Sequence, residues 1–304
     1  MNAPLDAPST NIASRVDPAL AIRDEAEFFG PARERLFGFR HTPMGEPTSG
    51  VLICSSLFAE FRKNYRREVE LGRSLAGIGF AVQRFHYRGT GNSDGRASAV
   101  TLDTLAEDAL SAGARLTAAT GAPIRAVVGT RLGALVAASV ADQLRLEGIV
   151  LWEPVTDAAT YFRDAFRAHR VSQMREQGRS PISRLAPTEE LASRGQVEVL
   201  GYTIHRPLYE SMLAAVGDRD AADPPRRVLL VQVSPKARPV ASLAHIERWR
   251  ELGSTVDMHN LEGEEPWWLA GQEDLGSDGS RVLAGTVGFT RGWLRDVLGS
   301  EDGS

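Results

Sequence analysis

Apolar residues along this chain fall into two spacings, and the two alternate. Short apolar runs read as strands: RLFGFRH at 35–41, GVLICSS at 50–56, FAVQRFHY at 80–87, IRAVVGT at 124–130, LEGIVLWEP at 146–154, RRVLLVQVS at 226–234 and TVDMHNLEG at 255–263. Between them lie longer segments that read as helices: EFRKNYRREVELGRSLAGIG, residues 101–119, the alanine-rich stretch after 133, ASLAHIERWRELG, and 281–298. Strands alternating with helices of this length predict βαβ units and a mostly parallel sheet flanked by helices. From about 156 to 224 the rhythm breaks, which predicts an inserted, largely helical cap. Residues 1–22 are polar and without periodicity, so they are expected to be a flexible arm, with 23–299 as one domain and 300–304 as a tail.

Composition narrows the class without naming a reaction. A chain of 304 residues, 42% hydrophobic and 24% charged, can bury one large α/β core. The net charge of −4 gives no global pull toward nucleic acid or a membrane surface. No run approaches the roughly 18 apolar residues of a membrane span, and MNAPLDAPSTNIASRVDPA lacks the blocks of a signal peptide. The expectation is a cytoplasmic protein. A single cysteine, Cys54, excludes an intrachain disulfide, and no His/Cys spacing suggests a metal. No cofactor is implied; a small-molecule ligand is, with a homodimer or a pathway partner protein left open.

The chemistry concentrates in VVGTRLGALVAAS, residues 127–139. A strand turns through Gly129-Thr130-Arg131-Leu132-Gly133 and leaves as a helix. In the G-x-S-x-G form of this turn, the central residue is thrown into a strained, exposed position above the sheet, where its hydroxyl acts as a nucleophile. Other segments fit the same plan: Phe58-Ala59-Glu60 with Lys63, Arg66 and Arg67; FHYRGTGNSDG; Trp152-Glu153-Pro154-Val155; and Gly263-Glu264-Glu265-Pro266-Trp267-Trp268. Together they resemble the α/β-hydrolase superfamily, in particular its serine aminopeptidase-like branch and the exosortase A system-associated hydrolases, which are similar in carrying a G-x-R-x-G elbow. The resemblance spans roughly residues 27–295 and implies the α/β-hydrolase fold with a helical cap.

It also implies three triad positions, and all three are altered. Arg131 replaces the elbow serine, and a guanidinium, protonated at any ordinary pH, neither attacks a carbonyl nor accepts a proton. Pro235-Lys236-Ala237-Arg238 stands where the acid would follow its strand, and Glu264-Glu265-Pro266-Trp267 where the histidine would. His259 lies several residues early, inside a strand, and reads either as a packed residue or as a displaced base. A helix N-terminus favours anions, so Arg131 there is either a grip for a carboxylate or phosphate or one half of an internal ion pair with Glu60 or Glu153.

The remaining candidates are weighed the same way. Ser55 and Ser56 sit in the loop after the second apolar run, as relocated nucleophiles or as turn formers, and His86 is an outside candidate for general base. Cys54 reads as a small buried hydrophobe rather than a thiolate. Leu57, Leu132, Glu153 and Trp267 join Arg131 and Glu60 as candidate ligand contacts, while Trp152, Trp268, Tyr161 and Tyr202 line either a pocket or the core beneath the cap. Two functions follow: a noncanonical protein that acts on or binds a small acyl, amide or carboxylate-bearing metabolite, or a catalytically inactive scaffold.

Overall fold

The computed structural model describes residues 9–177, 185–215, 224–234, 244–262 and 279–299. The chain opens with an antiparallel ribbon, β1 (Thr10–Asp17) and β2 (Ile22–Phe29), followed by β3 (Leu36–Pro43). Alternation then sets in: β4 (Ser49–Cys54), α1 (Phe58–Ala76), β5 (Phe80–Phe85), α2 (Leu102–Thr120), β6 (Ile124–Thr130), α3 (Gly133–Leu144) and β7 (Gly148–Trp152). An insertion follows, built from α4 (Ala158–Gln177), α5 (Pro187–Arg194), the hairpin β8 (Gln196–Val199) and β9 (Tyr202–His205), and α6 (Arg206–Ala214). The sheet resumes with β10 (Arg227–Ser234), α7 (Ala244–Glu251), β11 (Thr255–Glu262) and α8 (Gly279–Leu298).

Among the described residues the main sheet has the order β1-β2-β3-β5-β4-β6-β7-β10-β11. Strands β5, β4, β6, β7, β10 and β11 run parallel, and β1 to β3 run antiparallel at one edge. β4, β5 and β7 are buried along their whole length, because helices cover both faces of the sheet. That is why they appear in the sequence as continuous apolar runs rather than as alternation. One face packs Leu71 and Leu75 of α1 with Trp293, Leu294 and Val297 of α8; the other packs Leu105, Ala109 and Leu116 of α2 with Val136, Ala137 and Val140 of α3. α2 is closed at both ends, by Thr101 accepting the Thr104 amide at 3.2 Å and by Gly121 at φ 75°.

The structure corrects the reading of the first 22 residues. Thr10–Asp17 is not an unstructured arm but a strand paired with β2. Nearly all of β1 is exposed, so neither face demands apolar residues, and hydrophobic periodicity has nothing to register. β2 escapes for a different reason: its carboxylates are neutralised inside the fold. Glu27 accepts from Arg40 at 2.8 Å and from Arg115 at 2.7 Å, Glu25 pairs with Arg40 at 2.9 Å, and Asp24 binds Arg73 of α1, as does Asp17 at the end of β1. In the insertion the sequence reading had no hairpin. β8 and β9 are four residues each, too short for alternation to show, and their turn places Leu200 at φ 51° and Gly201 at φ 80°. Left-handed conformations at both central residues match the twist of a two-residue hairpin turn.

Candidate functional site

The carboxyl ends of β4, β6 and β7 bring together the turn before α1, the elbow before α3 and the start of the insertion. The elbow is built on two close approaches. A Cβ on Gly129 would lie 2.7 Å from Ala134 Cα, and one on Gly133 would lie 2.3 Å from the carbonyl oxygens of Cys54 and Ser55, so neither position has room for a side chain. Between them Arg131 sits at φ 54°, the left-handed region that non-glycine residues seldom enter. Its backbone is fixed on both sides, the amide donating to Trp152 O at 3.0 Å and the carbonyl accepting from Ala134 N at 3.1 Å.

The Arg131 side chain is engaged internally. Nε donates to both carboxylate oxygens of Glu60 at 3.2 and 3.3 Å, Nη2 donates to Glu60 Oε1 at 3.2 Å, and Nη1 donates to the carbonyl of Glu153 at 3.1 Å. The ring of Tyr161, from α4, lies 5.7 Å from the guanidinium carbon, with its phenol beside Glu60. The ion-pairing side chains retain only 14% and 12% of their exposure. Burial pushes the Glu60 carboxyl up and Arg131 pulls it down; burial also pushes the Tyr161 phenol up, so it stays protonated and able to donate. Of the two acids considered as partners, Glu60 supplies its carboxylate and Glu153 its backbone. The Glu153 carboxylate itself accepts from the amide of Val233, tying β7 to β10.

The loop after β4 holds two adjacent serines in opposite situations. Ser55 Oγ donates to Glu68 Oε2 at 2.6 Å, and Asn64 Nδ2 donates to Glu68 Oε1 at 2.7 Å. Burial pushes the Glu68 carboxyl up against the opposing pull of nearby Arg84. Ser56 is equally buried, yet its hydroxyl has no hydrogen-bond partner among the described residues. Glu68 is the residue that sequence reading missed. Its signal was present: Asn64 and Glu68 share the α1 face of Leu71 and Leu75, at spacings of four, three and four, so two polar residues interrupt an apolar stripe.

His86 is enclosed by aromatic rings, with Phe61 at 5.2 Å, Phe37 at 5.3 Å and Phe39 at 6.1 Å between centroids. Its Nδ1 accepts from the Asn92 amide at 3.2 Å, which places the proton of the neutral ring on Nε2, and burial holds its pKa down at about 4. The one lone pair is already engaged, so this arrangement leaves the ring no acceptor for a base's work. Cys54 is buried with its thiol pushed far up, and Trp152 is buried with its indole donating to Thr290 at 2.9 Å. His259 stacks on Phe289 at 3.5 Å, on β11, two strands beyond β7. Leu132 packs in the core under the elbow. Trp267, Trp268, Glu264 and Pro235–Arg238 lie outside the described residues.

Beside the elbow, a cavity of about 480 Å³ opens between the β4–α1 turn, the loop after β5 and the insertion's hairpin and α6. Leu57 and Ser56 line it, as do Tyr87 and Tyr202; Arg131 and Glu60 do not. Among the described residues no group of His, Cys, Asp and Glu side chains is placed to hold a metal ion, and no helix is long and apolar enough to cross a membrane.

No family model and no curated protein matches the chain. Solved structures do. Est1E from Butyrivibrio proteoclasticus matches with a TM-score of 0.58 at 13% identity, over 90% of this chain and 99% of its own. The fold is that of the α/β-hydrolases. A highly thermostable carboxyl esterase from Bacillus coagulans matches this α/β-hydrolase-fold chain with a TM-score of 0.53 at 15% identity, over 90% of this chain and 98% of its own. Alpha/beta hydrolase domain-containing protein 10 from mouse matches with a TM-score of 0.52 at 13% identity, over 88% and 99%. At these identities the likeness extends to architecture alone.

Proposed function

We propose that this chain is an α/β-hydrolase-fold protein that binds a small acyl- or carboxylate-bearing metabolite and does not run serine-triad hydrolysis at its elbow. The observation that carries the reading is the Arg131–Glu60 pair, closed over by Tyr161, filling the place of the attacking hydroxyl. Removing the nucleophile of such a site costs about 10⁶ in turnover, and the residual acceleration, about 10³ to 10⁴ over water, comes from the oxyanion hole and binding. The similarity of the elbow to that of the exosortase A system-associated hydrolases, also G-x-R-x-G, supports a noncanonical role. The engagement of the Ser55 hydroxyl by Glu68 and of the His86 lone pair by Asn92 supports it too, because neither group is left poised for acyl transfer.

The test is direct. The full chain is incubated with a fluorophosphonate and with a panel of aryl esters, and any adduct is located by mass spectrometry. The expected result is no adduct at 131, 55 or 56 and no ester turnover above that of Arg131→Met. An adduct on Ser55 or Ser56, abolished by alanine at that serine, would establish a relocated nucleophile and overturn the reading.

A further inference from the structure

We infer that the outer edge of β1 is a self-association surface: two copies of this chain pair there antiparallel, about a two-fold axis at Ser14, and their sheets run on into one. This goes beyond the binding function proposed above and does not depend on it.

Among the described residues β1 ends the main sheet, with β2 on one side and no strand on the other. Residues 10–16 make no backbone hydrogen bond to any described residue outside that pairing. An edge strand keeps every second N–H and C=O pointing outward, which makes it a template for a further strand. Proteins commonly block such pairing with a proline, a lysine or an unbalanced charge on the edge. TNIASRVD, residues 10–17, contains no proline and no lysine. Its two charges each meet an opposite charge within the chain, because Arg15 stands opposite Asp24 on β2 and Asp17 binds Arg73. A bulge falls at Ile12, and the strand is regular from there to Asp17.

What the edge lacks is an apolar match. Ile12 and Val16 are 53% and 46% exposed. Ile12 has no residue opposite it on β2, and Val16 stands opposite Arg23. A second copy supplies the match in one register. With Ser14 on the axis, Ile12 of each copy stands opposite Val16 of the other, Asn11 opposite Asp17, and Ala13 opposite Arg15. Symmetry makes the Ile12–Val16 pair twice. Moving the axis to Arg15 sets two arginines face to face, and moving it to Ala13 sets Ile12 against Ser14. Parallel pairing in register puts Arg15 beside Arg15 and Asp17 beside Asp17. The pattern of the strand is therefore complementary to itself in the antiparallel sense. Eight residues on each copy are fewer than the roughly 20–30 of a standard interface, so the dimer is weak and concentration-dependent.

The experiment uses the full chain. Sedimentation velocity across a concentration series is expected to show a reversible monomer–dimer equilibrium. The double variant Ile12→Lys, Val16→Lys changes only exposed positions and is expected to weaken that equilibrium by about tenfold or more, with an unchanged circular dichroism spectrum. Cross-linking reads the register. The single native cysteine, Cys54, is buried, so an introduced thiol is the reactive one. Ser14→Cys is expected to give a disulfide-linked dimer under mild oxidation, since residues directly opposite in antiparallel strands have Cα atoms about 4.5–5.5 Å apart, within disulfide reach. Ile12→Cys and Val16→Cys are expected to link to each other when mixed, and neither to itself. A chain that stays monomeric throughout the series overturns the inference, as does a dimer that the two lysines leave intact. Self-linking of Ile12→Cys or Val16→Cys in preference to the mixed pair would overturn it too, by placing the copies in another register.

Discussion

Ser55 and Ser56 are neighbours in one loop, each 1% exposed, and their hydroxyls differ in hydrogen bonding. Ser55 is bonded to a buried carboxylate at 2.6 Å, while the hydroxyl of Ser56 meets no partner among the described residues. The same contrast separates the two larger regions they border. At the elbow, Arg131 is engaged by Glu60, the Tyr161 ring and the Glu153 carbonyl. Among the residues that line the cavity, Ser56 has a buried hydroxyl with no hydrogen-bond partner among the described residues. Equal burial therefore leaves adjacent hydroxyls in different hydrogen-bonding states in this molecule.

The contrast can be broken hardest at the elbow. Glu60→Leu leaves a largely buried guanidinium without its countercharge, and we expect a loss of about 3–5 kcal/mol in urea denaturation. The double variant Glu60→Leu, Arg131→Met should recover most of that loss, since it removes both charges; a double variant as unstable as the single would mean that Glu60 acts on stability by another route. Next comes Ser55→Ala, which takes a hydrogen bond from the buried Glu68 carboxylate and should cost about 1–3 kcal/mol.

Acid reads the neighbouring loop, after β5, through His86. With its pKa held at about 4 by burial, the folded protein keeps this imidazole neutral over a range in which the unfolded chain, at about 6.5, protonates it. Unfolding thus takes up a proton between these values. Stability from this group is present above pH about 6.5 and is lost on acidification, at up to about 1.4 kcal/mol per pH unit. Urea midpoints measured from pH 7 to 4.5 should fall accordingly, and His86→Gln should flatten that slope; an unchanged slope would show that other groups carry it.

The smallest expected effect sharpens the comparison most. Ser56→Ala should change stability by less than about 0.5 kcal/mol, or raise it, because the hydroxyl it removes makes no hydrogen bond to any described residue. A loss comparable to that of Ser55→Ala would show that Ser56 is as engaged as its neighbour.

Much of the architecture was legible in the chain. The parallel strands announced themselves because strands covered on both faces must be apolar throughout, and the elbow because only glycine fits where Gly129 and Gly133 approach the neighbouring backbone. The N-terminal ribbon and the β8–β9 hairpin were not legible. An exposed strand has no face to bury, and β2 carries acids whose neutralising arginines come from Arg40, Arg73 and Arg115, elsewhere in the chain. Of the candidate site, Arg131 and Glu60 could be named from sequence, and so could the chemistry that a guanidinium forbids. Glu68 was readable in principle as a charge on an apolar stripe.

The sequence by itself determined what each side chain is able to do. An arginine at the elbow cannot become a nucleophile in any environment, because its protonation state does not depend on its neighbours at ordinary pH. Only the tertiary structure decided what each side chain is left to do. Glu60 reaches Arg131 across 71 positions of sequence, and Ser55 and Ser56, identical in residue type and adjacent in the chain, are told apart by the helix carboxylate that the hydroxyl of one meets and the hydroxyl of the other does not. Hydrogen bonds and ion pairs act through space over a few ångströms, so their pairing is fixed by packing and not by order along the chain.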